Sequence, residues 1–226
     1  MMVMRLKLRY LLLNLYAYSS LNENTYIMTD SIALAKDILD FWFGTDGKGG
    51  TVEARGKSRP EWFRKDAAFD EEIRTRFLPT YEEAAAGHLA RWQVQAQDCL
   101  ALIVLLDQFP RNMFRNDARA FATDHLALAA ARHSIEKKFD QPMRPVERQF
   151  IYLPLEHSES LVDQSQSLNL FRALAVYPET QELHLWAEKH RVIIERFGRF
   201  PHRNAALGRE STADEAIFLT QPGSGF

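Results

Sequence analysis

Two stretches of this chain carry the same polar ingredients after an apolar helical segment. "LDQFPRNMFR" spans residues 106–115 and "RFGRFPHRNAALGRESTADE" spans 196–215. The first supplies Asp107, Gln108, Arg111 and Asn112. The second supplies Arg199, His202, Arg203, Asn204 and Arg209. One reading is punctuation, because proline and asparagine end helices. The other is convergence: guanidinium forks bind carboxylate or phosphate through paired hydrogen bonds. The second stretch also leads into a helix start at Thr212–Glu215, whose free N–H groups favour negative charge. Asp107 adds a constraint, since a carboxylate near a helix C-terminus opposes the helix dipole. A cation must offset it, and Arg111, Arg115 or an arginine of the second turn qualifies. A buried Asp–Arg clasp between helices would use the same residues without any ligand.

A third polar set is "LPLEHSES", 153–160. A helix is expected to break at Pro154, with Ser158 as N-cap of a following helix over 159–177. His157 beside Glu159 has the makings of a general-base pair, an imidazole tuned by a carboxylate. It would serve equally as a hydrogen-bonded spacer between helices. Candidate proton carriers are therefore His157 and His202. Candidate ligand contacts are Asp107, Gln108, Arg111, Asn112, Glu159, Arg199, Arg203, Asn204 and Arg209. Metal spacing is missing: no His-x-x-x-His or His-Glu-x-x-His occurs, and His184 and His190 point to different helix faces. No Gly-x-Ser-x-Gly elbow is present. The glycine-rich stretch 44–60 lacks the Lys-Ser or Lys-Thr of a phosphate loop and reads as a surface connector. No cofactor is expected.

The elements that must position these residues read as helices throughout. Apolar residues fall at helical spacing over 32–42, with Gly44 as the stop. Residues 61–92 read as one helix bent at Pro79 or as two. Residues 95–109 are apolar on nearly every face, the pattern of a central buried helix that Pro110 ends or redirects. Helical patterns follow over 117–139, 144–177 (Pro145 at a first helical position, an interruption at Pro154) and 180–197, the last closed by Gly198. Thr212 and Glu215 form a capping box for a short helix over 213–219. Trp42, Trp62, Trp92 and Trp186 lie on apolar faces, where core packing is the default. Sustained alternation is missing, so no sheet is expected. The fold class is all-α: seven to nine helices in antiparallel pairs around 95–109, in a tetratricopeptide-like arrangement whose repeat signature does not recur.

Bulk properties narrow the partners. The formal charge is −2, from 28 basic and 30 acidic residues. That balance argues against a surface built to coat nucleic acid. Cys99 is the single cysteine, so the chain forms no internal disulfide, and a reducing, cytoplasmic setting fits. Residues 1–27 begin with a basic, apolar run too short to span a bilayer and without a clean signal-cleavage site. "MTDSIALAKDILDFW" places capping residues directly after Met28. The domain is accordingly expected over 28–226, with 1–27 outside it as an over-called start or, alternatively, an export signal.

"ILDFWFG", "WFRKDAAFDEEIRTRF", "LDQFPRNMFR", "YLPLEHSES" and "FGRFPHRNAALGREST", in this order, resemble the bacterial family catalogued as domain of unknown function 924. The resemblance covers roughly 32–224. It implies an all-helical fold near the tetratricopeptide-like group and brings no established activity. The family's motif positions fall on Asp107, Gln108, Arg111, Asn112, His157, Glu159, Arg199, His202, Arg203, Asn204 and Arg209. Where the family often has methionine this chain has Glu156. Two functions are expected from these observations: a pocket for a small anionic ligand, phosphate- or carboxylate-bearing, or an interaction module that takes a partner peptide.

Overall fold

The computed structural model describes residues 33–44 and 56–225. The expectations for 1–27 and for most of the glycine-rich connector lie outside the described residues. Eight α-helices and no strand occur among them: α1 (33–43), α2 (Ala67–Ala85), α3 (Ala96–Met113), α4 (Asp124–Glu136), α5 (Pro145–Glu156), α6 (Leu161–Leu174), α7 (Leu183–Phe197) and α8 (Ala213–Leu219). No helix among them is long and apolar enough to cross a membrane.

The centre is α3, buried from Cys99 to Pro110 without a break. Around it, neighbours in sequence pair in opposite directions. Thr123 at the start of α4 meets Leu106 late in α3, while Ala130 meets Cys99 early in it. Likewise Tyr152 of α5 stacks edge-on against Phe171 of α6, and Arg172 of α6 reaches Glu188 of α7. The end of α1 is stapled by aromatics. Phe41, Trp42 and Phe43 pack on Trp62, Phe69, Phe109 and Phe150. Helix C-termini leave carbonyls without intrahelical donors. Here Arg59 Nη1 donates to the carbonyls of Phe41 and Trp42, and Trp62 Nε1 donates to Trp42 at 2.8 Å.

Four expectations are corrected. Pro110 does not end α3, which runs on to Met113. Proline has no N–H, so the carbonyl four residues back, Leu106, loses its partner. Thr123 Oγ1 supplies the bond instead, at 2.6 Å. Pro154 likewise lies inside α5, and the break falls later, at 157–160. The cap of α6 is Ser160 rather than Ser158. Ser158 Oγ instead accepts from Ser160 N and donates to Asp163, while Gln164 Nε2 donates to the carbonyls of Glu156 and Ser158. Trp186 is the tryptophan that leaves the core, being 51% exposed. Gly198 closes α7 in the left-handed region, φ 68°, as a glycine after a helix often does.

Candidate functional site

The freed Leu106 carbonyl determines where the site forms. By binding Thr123 it fixes the first turn of α4 against α3, which sets Asp124 opposite Arg111. Arg111 Nη1 and Nη2 then donate to the two oxygens of Asp124 at 2.8 and 3.1 Å. Arg203, 79 residues further on, donates Nη1 to the same carboxylate at 3.1 Å. Its Nη2 donates to the His157 carbonyl at 3.0 Å. The Arg203 guanidinium lies between the rings of Phe121 and Phe200, 4.7 and 4.5 Å from their centroids. Cation–π contacts of this kind strengthen when water is excluded, and Arg203 is only 6% exposed. So the arginines of the two turns do converge, and the acid they share belongs to the chain.

Asp107 sits beneath them, wholly buried. Its Oδ1 lies 2.7 Å from His157 Nδ1 and 3.3 Å from Arg111 Nη1, and Gln108 Nε2 donates to its other oxygen. Burial pushes the carboxyl pKa up, but His157 and Arg111 more than reverse this and hold it below the usual carboxylate range. His157 is shifted down, first by burial and then by the Arg111 guanidinium. A neutral imidazole donating Nδ1–H to an ionised Asp107 leaves Nε2 as a free base, the arrangement by which a carboxylate orients a catalytic histidine. His202, in the adjoining turn, is pushed down to about 3 by burial and then by Arg203. Arg203 itself falls to about 10 through burial and the nearby Arg111, still cationic at neutral pH.

A second network ties the 199–209 turn to its neighbours. Arg209 donates Nη1 and Nη2 to Glu159 at 2.8 and 3.0 Å, and Phe200 N donates to the same carboxylate at 2.8 Å. Burial raises the Glu159 carboxyl, yet the Arg209 and Phe200 bonds outweigh it and leave it lowered. Arg199 grips Glu215 through two bonds of 2.7 Å, and the Thr212–Glu215 capping box is present. Asn204 bridges Arg209 and Ser211.

The structure therefore sorts the sequence-predicted residues into groups. Asp107, Gln108, Arg111, His157 and Arg203 form one cluster, with His202 in the Arg203 turn beside it. Glu159, Arg199, Asn204 and Arg209 form an adjacent clasp. The expected His157–Glu159 pair is not made, because each binds a different element. Asn112 also stands apart: it donates to Asp70 at 2.7 Å, and Arg115 binds that carboxylate through two nitrogens. Sequence reasoning missed Asp124, an ordinary acid inside the helix expected over 117–139; in the structure α4 begins there. It also missed the buried contact between Glu156 and His190, 3.0 Å. Phe121 was missed as well, since nothing local marks it as a wall for arginines. Among the described residues no cluster of histidine, cysteine or carboxylates suits a metal ion.

Fold and site together define an all-helical protein in which α3, the start of α4, the end of α5 and the turn after α7 bring two arginines, a histidine and two aspartates together. The chain belongs to the bacterial family of proteins of unknown function called DUF924, which it matches over residues 38–223. It is similar to a solved protein of unknown function from Agrobacterium tumefaciens, ATU0120: 41% identity, 84% of this chain and 98% of that one covered, TM-score 0.71. No curated protein matches it.

Proposed function

We propose that this protein binds a small anionic ligand at the Arg111–Arg203 pair, with His157 placed to take or give a proton. One observation carries the reading. Arg203 Nε is buried and makes no hydrogen bond. Burying a donor without a partner costs about 1–3 kcal/mol, more when the group is charged. Around it, Arg111, Asp107 and Asp124 are all paired. An unspent donor on a guanidinium whose Nη2 already holds the His157 carbonyl suits a ligand oxygen that the protein alone does not provide. His202 stays with His157 as a second candidate proton carrier. Gln108 acts through Asp107, and Glu159, Arg199, Asn204 and Arg209 hold the Arg203 turn in place.

Thermal shift against phosphorylated metabolites and carboxylates, on wild type and Arg203→Ala, tests it. Stabilisation by a ligand in wild type that disappears in a still-folded Arg203→Ala is the expected result. Silence across a broad panel would move the function to the second reading, an interaction module. That alternative draws on Leu185, Trp186 and Val192, exposed along α7 where a partner's apolar residues would pack.

A further inference from the structure

Within the anion-binding reading above, on which this inference rests, we propose that the ligand is a carboxylate and that Asp124 is its built-in competitor. Asp124 occupies the arginine fork as an incoming carboxylate would. Arg111 addresses both of its oxygens and Arg203 adds a third bond, all in the 2.8–3.1 Å range. Three donors around two coplanar oxygens match a carboxylate, and the ring of Phe121 lies within 4.7 Å of one guanidinium carbon and 5.7 Å of the other. A tetrahedral phosphate would have to turn further oxygens toward that aromatic wall.

Asp124 is also the member of the cluster that can leave. Its side chain is 22% exposed, against 0% for Asp107 and 7% for Arg203. Among the described residues the two arginines are the side chain's only hydrogen-bond partners. Its backbone stays anchored through Thr123, so rotation of the side chain toward water empties the fork without moving α4. Asp107 has no such freedom, being held by His157, Arg111 and Gln108 at once.

Charge favours the same ligand class. Two arginines face two aspartates, so the cluster is balanced. A monocarboxylate that replaces Asp124 keeps that balance. A phosphate dianion adds a negative charge and favours a proton on His157, which faces Asp107 and Arg111 from α3, Asp124 from α4, His190 from α7 and Arg203 from the last turn.

Thermal shift with sodium acetate, inorganic phosphate and, as ionic-strength control, sodium chloride tests this on wild type, Asp124→Ala and Asp124→Ala/Arg203→Ala. Asp124→Ala should melt lower than wild type, and acetate should restore it saturably. If Asp124 fills the fork about nine-tenths of the time, removing it tightens acetate roughly tenfold. The double variant should not respond. Should Asp124→Ala fail to fold, Asp124→Asn keeps the side chain's shape while removing its charge, and acetate should again bind more tightly than to wild type. Phosphate acting better than acetate, or acetate acting no better than chloride while wild type still answers to some anion, overturns the carboxylate assignment and leaves the anion reading standing. No response of any variant to any anion overturns both.

Discussion

The neutral state of His202 sets a measurable acid sensitivity. Histidine ordinarily titrates near 6.5. In the fold His202 is pushed down to about 3, first by burial, then by Arg203, His190, Arg111 and His157. Between those two values the unfolded chain takes a proton that the folded chain refuses. This group's contribution is therefore present above pH 6.5 and is lost as pH falls toward 3. Each pH unit in that window costs about 1.4 kcal/mol. From pH 7 to pH 5 the loss is about 2 kcal/mol, a sizeable part of a domain's total of about 5–15 kcal/mol.

His157, also shifted down, adds in the same direction. The lowered carboxylates Asp107, Glu159 and Glu215 contribute little between pH 7 and pH 5, because they weaken the fold only as pH falls through their unfolded values, about 4–4.5. Urea denaturation at pH 7 and pH 5 reads the effect, with His202→Gln as the comparison. Wild type should lose on the order of 2 kcal/mol more than the variant does. Equal losses, or a His202 ring that titrates near 6.5 by NMR in the folded protein, would show that the turn does not exclude the proton.

Other outcomes follow from the same contacts. Asp107→Asn strips the anion from beneath Arg111 and His157 and should destabilise by about 3–5 kcal/mol in chemical denaturation, as breaking a buried ion pair does. Cys99, whose thiol burial pushes up to about 12, should resist a thiol reagent in the native state and react only once denaturant opens the core.

The helical class was legible because apolar residues repeat at helical spacing, and the stops at Gly44 and Gly198 and the start at Thr212 are local chemistry. Gly44 and Gly198 take positive φ just past α1 and α7, and Thr212 accepts from Glu215 N as a capping residue should. The prolines misled for a physical reason. A helix tolerates a missing N–H when another donor reaches the orphaned carbonyl, and Thr123, 17 residues from Leu106, is invisible to local pattern. The arginine turns were readable as candidates because Asp107 demanded a cation near a helix end. Which cation answered was a matter of tertiary geometry: Arg111 and His157 serve Asp107, while Arg115 serves Asp70. Asp124 was illegible because the pattern runs one helix over 117–139, which leaves it an ordinary acid within that helix, whereas α4 begins at Asp124. Trp186 misled in the other direction, its spacing matching an apolar stripe that the fold leaves in water.

The same polar residues raise the question of a structural lock, and energetics bears on it. A buried set of charges holds a fold less well than apolar residues of the same volume, since desolvation consumes most of the Coulomb gain. Four charged groups and neighbouring histidines are therefore a costly way to join α3, α4 and the last turn if joining is their only task. A lock would also be closed on every side. Here Asp124 and Arg111 keep an edge open to water, 22% and 20% exposed, and His157 keeps 14%. The most deeply placed cation, Arg203, retains a donor that no protein atom uses. A cluster sealed below by Asp107 and open above at Asp124 fits the proposed carboxylate site, in which the two guanidiniums would set specificity and Asp124 would set access.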